Sequence, residues 1–268
     1  MPVMRLATQV SIFLTVIVSW PVCTNAFGPA GHELVGAMAE YRLCDDARRE
    51  IDRLLDGGSL GKAGRWPDWI RSRPEWKHTR PWHYINVGDR EPIATVAGDN
   101  VLYAIDRFRR ELADRTLPLS RRAEALRFLA HFIADVHQPL HVGRRGDRGG
   151  NEISVRLEDR RTNLHAVWDG EFLLRRAARN YAGDRQARAL MALTAHQIEQ
   201  LEADGPADWA RESQALRPEV YAFEAPAAGS ALVLDGVYLD RALELINMRL
   251  AEAGVRLAGQ LNDIFCAP

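Results

Sequence analysis

The sequence has 268 residues, 47% hydrophobic and 26% charged, a balance that excludes both an intrinsically disordered chain and a membrane-embedded one. Lysine and arginine total 35 against 36 acidic residues, so the formal charge of −1 provides no global field toward a polyanion. Contact with nucleic acid therefore requires local positive charge or bound metal, and among the basic residues only Lys62 and Lys77 are lysine.

At the N-terminus, Arg5 precedes the apolar run VSIFLTVIVSW, and Thr24 and Ala26 occupy small-residue positions of a signal-peptidase site. These features predict a signal peptide over residues 1–26, cleaved after Ala26, and an exported protein, periplasmic or secreted. The run is shorter than the ~20 residues a spanning helix needs, so no membrane anchor is expected. Cleavage leaves Cys44 and Cys266, an even pair that an oxidising compartment can join into a disulfide.

Helical periodicity starts at AGHELVGAMAEYRL, with Leu34, Met38 and Tyr41 near one face. It recurs over about 45–56, 97–114, 120–137, 164–180, 185–203, 207–216 and 236–261. Residues 57–92 resist a helical reading, because Gly57, Gly58, Gly61, Gly64, Pro67, Pro74, Pro81 and Pro92 punctuate them. Trp66, Trp69, Trp76 and Trp82 fall in the same stretch, which reads as an irregular loop plugged into the core by indoles, with a stacking platform for bases as the alternative. EISVRL alone reads as a strand, giving at most a small β-hairpin near 152–162, and EAPAAGSA (224–231) reads as a helix-to-helix loop. The expectation is an all-α fold, a single mainly helical domain over 27–268 with long irregular loops.

Chemistry concentrates in HFIADVHQPLH, where three of the eight histidines lie within eleven positions. His131 and Asp135, four apart on a helix, share a face and can reach one metal ion. Pro139 ends that helix, so His141 approaches from another direction, while His137 falls off the face and reads as a packing or supporting ring. NLHAVWD repeats the spacing with His165 and Asp169. Asp68 and His83, in the irregular stretch, can add a carboxylate and an imidazole. A freed amine and carbonyl of Phe27 can chelate, with His32 five residues on. Five histidines, three aspartates and one terminus, without cysteine, suit zinc in a multinuclear cluster, because one structural zinc needs only four ligands. No His-Glu-x-x-His, Gly-x-Ser-x-Gly or Gly-rich phosphate loop occurs, so metal-assisted hydrolysis is the chemistry favoured.

These residues resemble a known family. FGPAGH, WPDWIR, WHYIN, HFIADVHQPLH, GDRGGN and NLHAVWD stand here in the order and spacing of the secreted trinuclear-zinc nucleases of the S-one/P-one type, a likeness spanning nearly all of 27–268. The resemblance implies a helical fold with three zinc ions at the bottom of a cleft. It also implies hydrolysis of phosphodiester bonds in single-stranded DNA and RNA to 5′-nucleotides, and 3′-nucleotidase activity. One zinc is implied at Asp68, His83, His131 and Asp135, and a second at His141, His165 and Asp169. The third is implied at Phe27, His32 and the other oxygen of Asp135, which thereby bridges two ions. Asp68 is implied to orient the attacking water, and Arg71 to neutralise the phosphoryl oxygens. Tyr84, Asn86 and Asn151 fall at positions where the family contacts the base. Two departures stand out: Phe27 replaces the usual Trp at the mature start, and Asn86 replaces a common Asp, exchanging an acceptor for an amide that also donates. Backbone chelation survives the first change, whereas the second leaves base preference open.

A zinc-dependent phospholipase C shares the implied three-metal core, but typically offers Glu where Asp169 stands. A non-catalytic exported zinc-binding protein is the other alternative, opposed by the phosphate-directed Arg71. No stable protein partner is evident, and a monomer is expected. No Asn-x-Ser/Thr sequence occurs, so N-glycosylation is not expected.

Overall fold

Helix α5 (Leu119–His137) is the axis of the molecule, and from Phe128 to His137 every one of its residues is buried. A helix apolar and buried on all sides belongs at the centre of its domain. The computed structural model describes residues 27–157, 160–171, 193–224 and 229–266. The expected signal peptide, residues 172–180 and 185–192 of two expected helices, and 225–228 of the expected loop lie outside the described residues.

Around α5 pack α1 (Gly28–Glu40), α3 (Leu60–Ile70), α4 (Val101–Ala113) and the C-terminal α10 (Gly236–Phe265). Helix α2 (Asp45–Leu55) touches α5 and α10, α7 (Ala195–Ala203) packs on α10 and α8 (Pro206–Ala215) on α5, followed by the short α9 (Arg217–Val220). Side-chain oxygens of Ser59, Asn100 and Asp235 accept backbone N–H groups at the starts of α3, α4 and α10. Each satisfies donors that the first helical turn leaves without intrahelical partners. The mainly α expectation holds.

The stretch expected to be irregular is where the reading fails. Leu60–Ile70 is an α-helix despite Gly61, Gly64 and Pro67, and Pro74–His83 winds as a 3-10 helix. The physical reason is close packing: a Cβ on Gly61 would stand 2.6 Å from the Glu33 carbonyl oxygen, and one on Gly36 would overlap the backbone of Gly61. The glycines let α1 and α3 touch backbone to backbone and do not break the helix. The indoles largely behave as expected. Trp66, Trp76 and Trp82 pack with Phe108, Phe128 and Phe132, and Phe108 stacks on Phe128 at 4.5 Å. Trp69 is the exception, with 65% of its surface exposed. Tyr41 also departs from expectation: α1 ends at Glu40, and Tyr41 projects into solvent.

Strand β1 (Ser154–Leu157) pairs antiparallel with β2 (Arg160–Asn163), the expected hairpin displaced by one or two residues. A third strand, β3 (Leu232–Val233), joins β1 in parallel. Two residues are too short to display an alternation in sequence.

Cys44 and Cys266 form the expected disulfide, tying the cap of α2 to the end of α10 across 222 positions. Asn262 reinforces the junction, accepting from Cys44 N at 3.0 Å and donating to the Arg42 carbonyl at 3.0 Å. Replacing both cysteines with serine is expected to cost about 2–3 kcal/mol in denaturant unfolding, within the usual range for a lost cross-link. The value falls toward the lower part because serine preserves the cap of α2 and Asn262 keeps the ends together. A loss below about 0.5 kcal/mol would show the bridge to be energetically idle.

Candidate metal centre

The C-terminal half of α5 projects His131 and Asp135 one turn apart into the same interior. Beyond Gln138, Pro139 lacks the N–H needed to continue the ladder, and the chain turns through a 3-10 segment, Pro139–Val142, that brings His141 back. His165 and Asp169 lie across the short α6 (Leu164–Ala166) and the π turn Val167–Glu171. Asp68 comes from α3, His83 from the end of the 3-10 helix, and His32 from α1. Eight residues distant in sequence thus converge.

They form three groups, within each of which the potential ligand atoms lie within 4.8 Å of one another: His32, His131 and Asp135; Asp68, His83 and His131; and His141, His165 and Asp169. Asp135 is the hub. Its Oδ2 lies 3.0 Å from His83 Nδ1, 3.2 Å from His131 Nε2 and 3.9 Å from His141 Nδ1, while its Oδ1 lies 3.5 Å from His32 Nε2. Within the group of His141, His165 and Asp169, His165 Nε2 stands 3.1 Å from Asp169 Oδ2 and His141 Nε2 stands 3.7 Å from Asp169 Oδ1. Ligand atoms bound to a tetrahedral zinc stand roughly 3.3–3.6 Å apart, and most of these separations bracket that span.

Three of the rings have their tautomer set from behind. His131 Nδ1 lies 2.6 Å from the Gly64 carbonyl, His141 Nδ1 lies 2.6 Å from the His83 carbonyl, and His165 Nδ1 lies 2.7 Å from the Gly149 carbonyl. A carbonyl only accepts, so each Nδ1 carries the proton and each Nε2 presents its lone pair to the interior, the arrangement that supports metal-ligating imidazoles.

The residues fit a cation. Asp135 Oδ1, His141 Nε2 and both oxygens of Asp68 are buried without a hydrogen bond. Burial pushes the Asp135 carboxyl up to about 8 and that of Asp68 to about 6, with His131 and Arg71 opposing the rise at Asp68. Burial holds His131 down to about 4 and His83 well below the usual imidazole range. Neutral rings beside carboxylates that burial makes reluctant to ionise call for a positive ion. At Asp169 burial is outweighed by His165 and His141, which hold its carboxyl below the ordinary range.

His137, the third histidine of the stretch, points away. Its Nδ1 donates to the Ile133 carbonyl at 2.7 Å and its Nε2 accepts from Arg256 Nη1 at 2.9 Å, so it supports α10 behind the site, as the off-face position implies. Arg71, at the end of α3, places Nη1 3.3 Å from Asp68 Oδ1. Tyr84 and Asn86 lie on an extended segment whose Ile85 and Val87 N–H groups donate to the His141 and Gly143 carbonyls at 2.8 and 3.0 Å. Alternation then buries Ile85 and Val87 and leaves Tyr84 exposed and Asn86 half-buried. Asn151 donates to the Arg148 carbonyl at 2.9 Å beside the loop that holds His165. Phe27 begins α1 with a left-handed backbone, and its carbonyl accepts from Gly31 N at 3.0 Å. Its neighbour Gly28 lies so near Asp169 that a Cβ there would stand 2.7 Å from the Asp169 carbonyl oxygen. In the 268-residue chain the Phe27 nitrogen is a peptide nitrogen, so the terminal chelate belongs to a processed chain.

Gln138 is the group that sequence reasoning missed. Its Nε2 donates to Asp169 Oδ1 at 2.6 Å and its Oε1 accepts from Leu140 N at 2.5 Å, linking the end of α5 to the second metal group. Its place just before Pro139, within the histidine-rich stretch, was the available signal.

A helical domain thus gathers at its centre three His/Asp groups that could hold metal. A family model described as S1/P1 Nuclease matches residues 27–266, and the chain belongs to that family of phosphodiester-cleaving enzymes. Endonuclease 4 of Arabidopsis thaliana is 31% identical, over 95% of this chain and 93% of its own length. Nuclease P1 of Penicillium citrinum is 27% identical, over 89% and 97%, and Nuclease S1 of Aspergillus oryzae is 26% identical, over 91% and 94%. The family match decides for nuclease over phospholipase C and over a non-catalytic zinc store.

Proposed function

We propose that residues 27–268 form a trinuclear zinc enzyme that hydrolyses single-stranded DNA and RNA to 5′-nucleotides and also acts on 3′-nucleotides. The single observation that carries the reading is Asp135, a fully buried carboxylate with four imidazoles within 3.9 Å and its two oxygens directed to different groups. One ion would be held by Asp68, His83, His131 and Asp135, and another by His141, His165 and Asp169. The last would be held by His32, Asp135 and the amine and carbonyl of Phe27 once residues 1–26 are removed. We read the enzyme as exported and monomeric. The disulfide suits an oxidising compartment, and no helix among the described residues is long and apolar enough to cross a membrane.

When bound, the zinc ions supply Lewis acidity that ionises water near neutral pH and stabilises the leaving oxygen. The chain supplies placement. Asp68 orients the attacking water, whose oxygen forms the new bond to phosphorus as the bond to the 3′-oxygen breaks; the water gives up a proton to solvent, and the leaving oxygen takes one from solvent to depart as a 3′-hydroxyl. Arg71, held beside Asp68, donates to the phosphoryl oxygens as negative charge builds on them. Gln138 fixes the rotamer of Asp169. Tyr84 offers a stacking face for the base, while Asn86 and Asn151 offer amide contacts.

The test is metal analysis of the mature protein alongside hydrolysis of denatured DNA, RNA and phosphatidylcholine. Three zinc ions with cleavage of both nucleic acids are expected, and activity on lipid alone would overturn the reading. Arg71→Ala is expected to lower kcat by about 10²–10³-fold, the usual cost of one donor to a developing oxyanion, with metal content retained. A fall of less than about threefold would remove Arg71 from the catalytic set.

A further inference from the structure

We propose that the solvent-facing side of α3 is a strand-binding subsite. There Trp69 stacks a base of single-stranded nucleic acid, and Lys62, Arg65 and Arg73 hold its phosphates. The proposal rests on the nuclease reading and extends it to a surface beside the metal groups.

Positions 62, 65, 66, 69 and 73 recur at helical spacing and share one side of α3 and its exit, whereas Asp68 and Arg71 lie round the helix toward the interior. Three of the four tryptophans in this stretch are packed into the aromatic cluster, while Trp69 keeps 65% of its surface exposed. An indole left in water at the rim of a catalytic centre is unusual for a residue that normally buries most of its area. The Arg73 guanidinium sits 4.1 Å from its ring centroid, which sets the ring in place beside a positive charge.

Trp69 lines a groove of about 610 Å³ together with Pro29, Lys62, Arg65 and Asp68. Asp68 belongs to the metal groups and also lines the groove, so the groove lies beside the centre, and a strand whose scissile phosphate lies at the centre can extend along α3. Charge selects the occupant. Lys62, Arg65 and Arg73 outnumber the carboxylates at the groove, Asp68 in its lining and Glu33, which pairs with Arg65 at 2.5 Å in an exposed contact that a phosphate can replace at little cost. On a chain of net charge −1 this local excess is not a general background. Cations interleaved with an exposed aromatic match the requirements of a single strand, a charged backbone with accessible base faces, without dictating its sequence.

The test uses the mature, zinc-loaded enzyme with Trp69→Ala and Trp69→Phe. Substrates are an oligothymidylate of roughly 12 nucleotides, long enough to cover one such site, and a 3′-mononucleotide too short to reach α3. The ratio of kcat/KM for the oligomer to that for the mononucleotide is expected to fall about tenfold in Trp69→Ala, the effect of one lost base stack, and to recover in Trp69→Phe. A Lys62→Gln/Arg65→Gln/Arg73→Gln variant is expected to flatten the dependence of oligomer KM on salt. An unchanged ratio in Trp69→Ala would overturn the proposal, as would a parallel loss on both substrates, which marks a structural role. Equilibrium binding of a fluorescein-labelled oligothymidylate, measured in parallel, separates the two readings. If the wild type cleaves no oligomer, the nuclease reading fails, whereas weaker binding by Trp69→Ala still supports the subsite and equal binding overturns it.

Discussion

Asp135→Ala is expected to remove two metal ions and all measurable hydrolysis together, leaving about one zinc per chain. The carboxylate lies between His32 on one oxygen and His83 and His131 on the other, so its loss takes a ligand from both of the groups it joins. A zinc site in protein is closed by four ligands or by three and a water, and removing the shared carboxylate takes one anionic ligand from each of the two ions at once, which weakens both. The group of His141, His165 and Asp169 keeps all three residues and the supporting bonds from Gln138 and the Gly149 carbonyl. Elemental analysis beside an activity assay reads the result, and a variant that retains three ions would refute the bridging role. Because alanine also relieves a carboxylate that burial makes costly to ionise, the metal-free variant is expected to be no less stable than the metal-free wild type. Thermal unfolding in chelator therefore separates loss of metal from loss of fold.

Glu212→Ala is expected to destabilise the protein by about 3–4 kcal/mol without touching a metal group. Arg249 and Arg256 are almost wholly buried on α10, and both donate to Glu212, through contacts of 2.7, 2.6 and 2.6 Å. Removing Glu212 leaves two buried guanidiniums with less compensating charge, although its own side chain is 35% exposed and water entering in its place screens part of the loss. Glu252 at 2.5 Å from Arg249 and Asp204 at 3.5 Å from Arg256 compensate in part, which sets the value toward the lower end of the usual range. Arg256 also donates to His137, so the strain reaches the back of α5. Denaturant unfolding measures the cost, and a loss below about 1 kcal/mol would show that Glu252 and Asp204 suffice.

Much of the centre was legible because its chemistry is local in sequence. A histidine and an aspartate four apart on a helix announce a shared face, and His131/Asp135 and His165/Asp169 lie where that spacing puts them. His137 was separable from its neighbours for the same reason. What the sequence hid was set by tertiary contact. Gly61 looks like a breaker until α1 is seen against α3, where only glycine permits the approach. Gln138 looks like an ordinary polar residue until the chain folds Asp169 against it. The carbonyls of Gly64, His83 and Gly149 carry no side-chain signature at all, and a backbone acceptor becomes visible only in the folded chain.

Those three carbonyls also bear on how the protein can vary. Surface loops ordinarily absorb insertions with little penalty. The loop around Gly149 is different, because its carbonyl aims the ring of His165, and an added residue there would rotate an imidazole. The turn between α4 and α5, around residues 114–118, supplies none of the three carbonyls that aim the rings. Substrate range is therefore open to adjustment through side chains on fixed backbone, while swapping whole loops around the centre would disturb its geometry before it altered what binds.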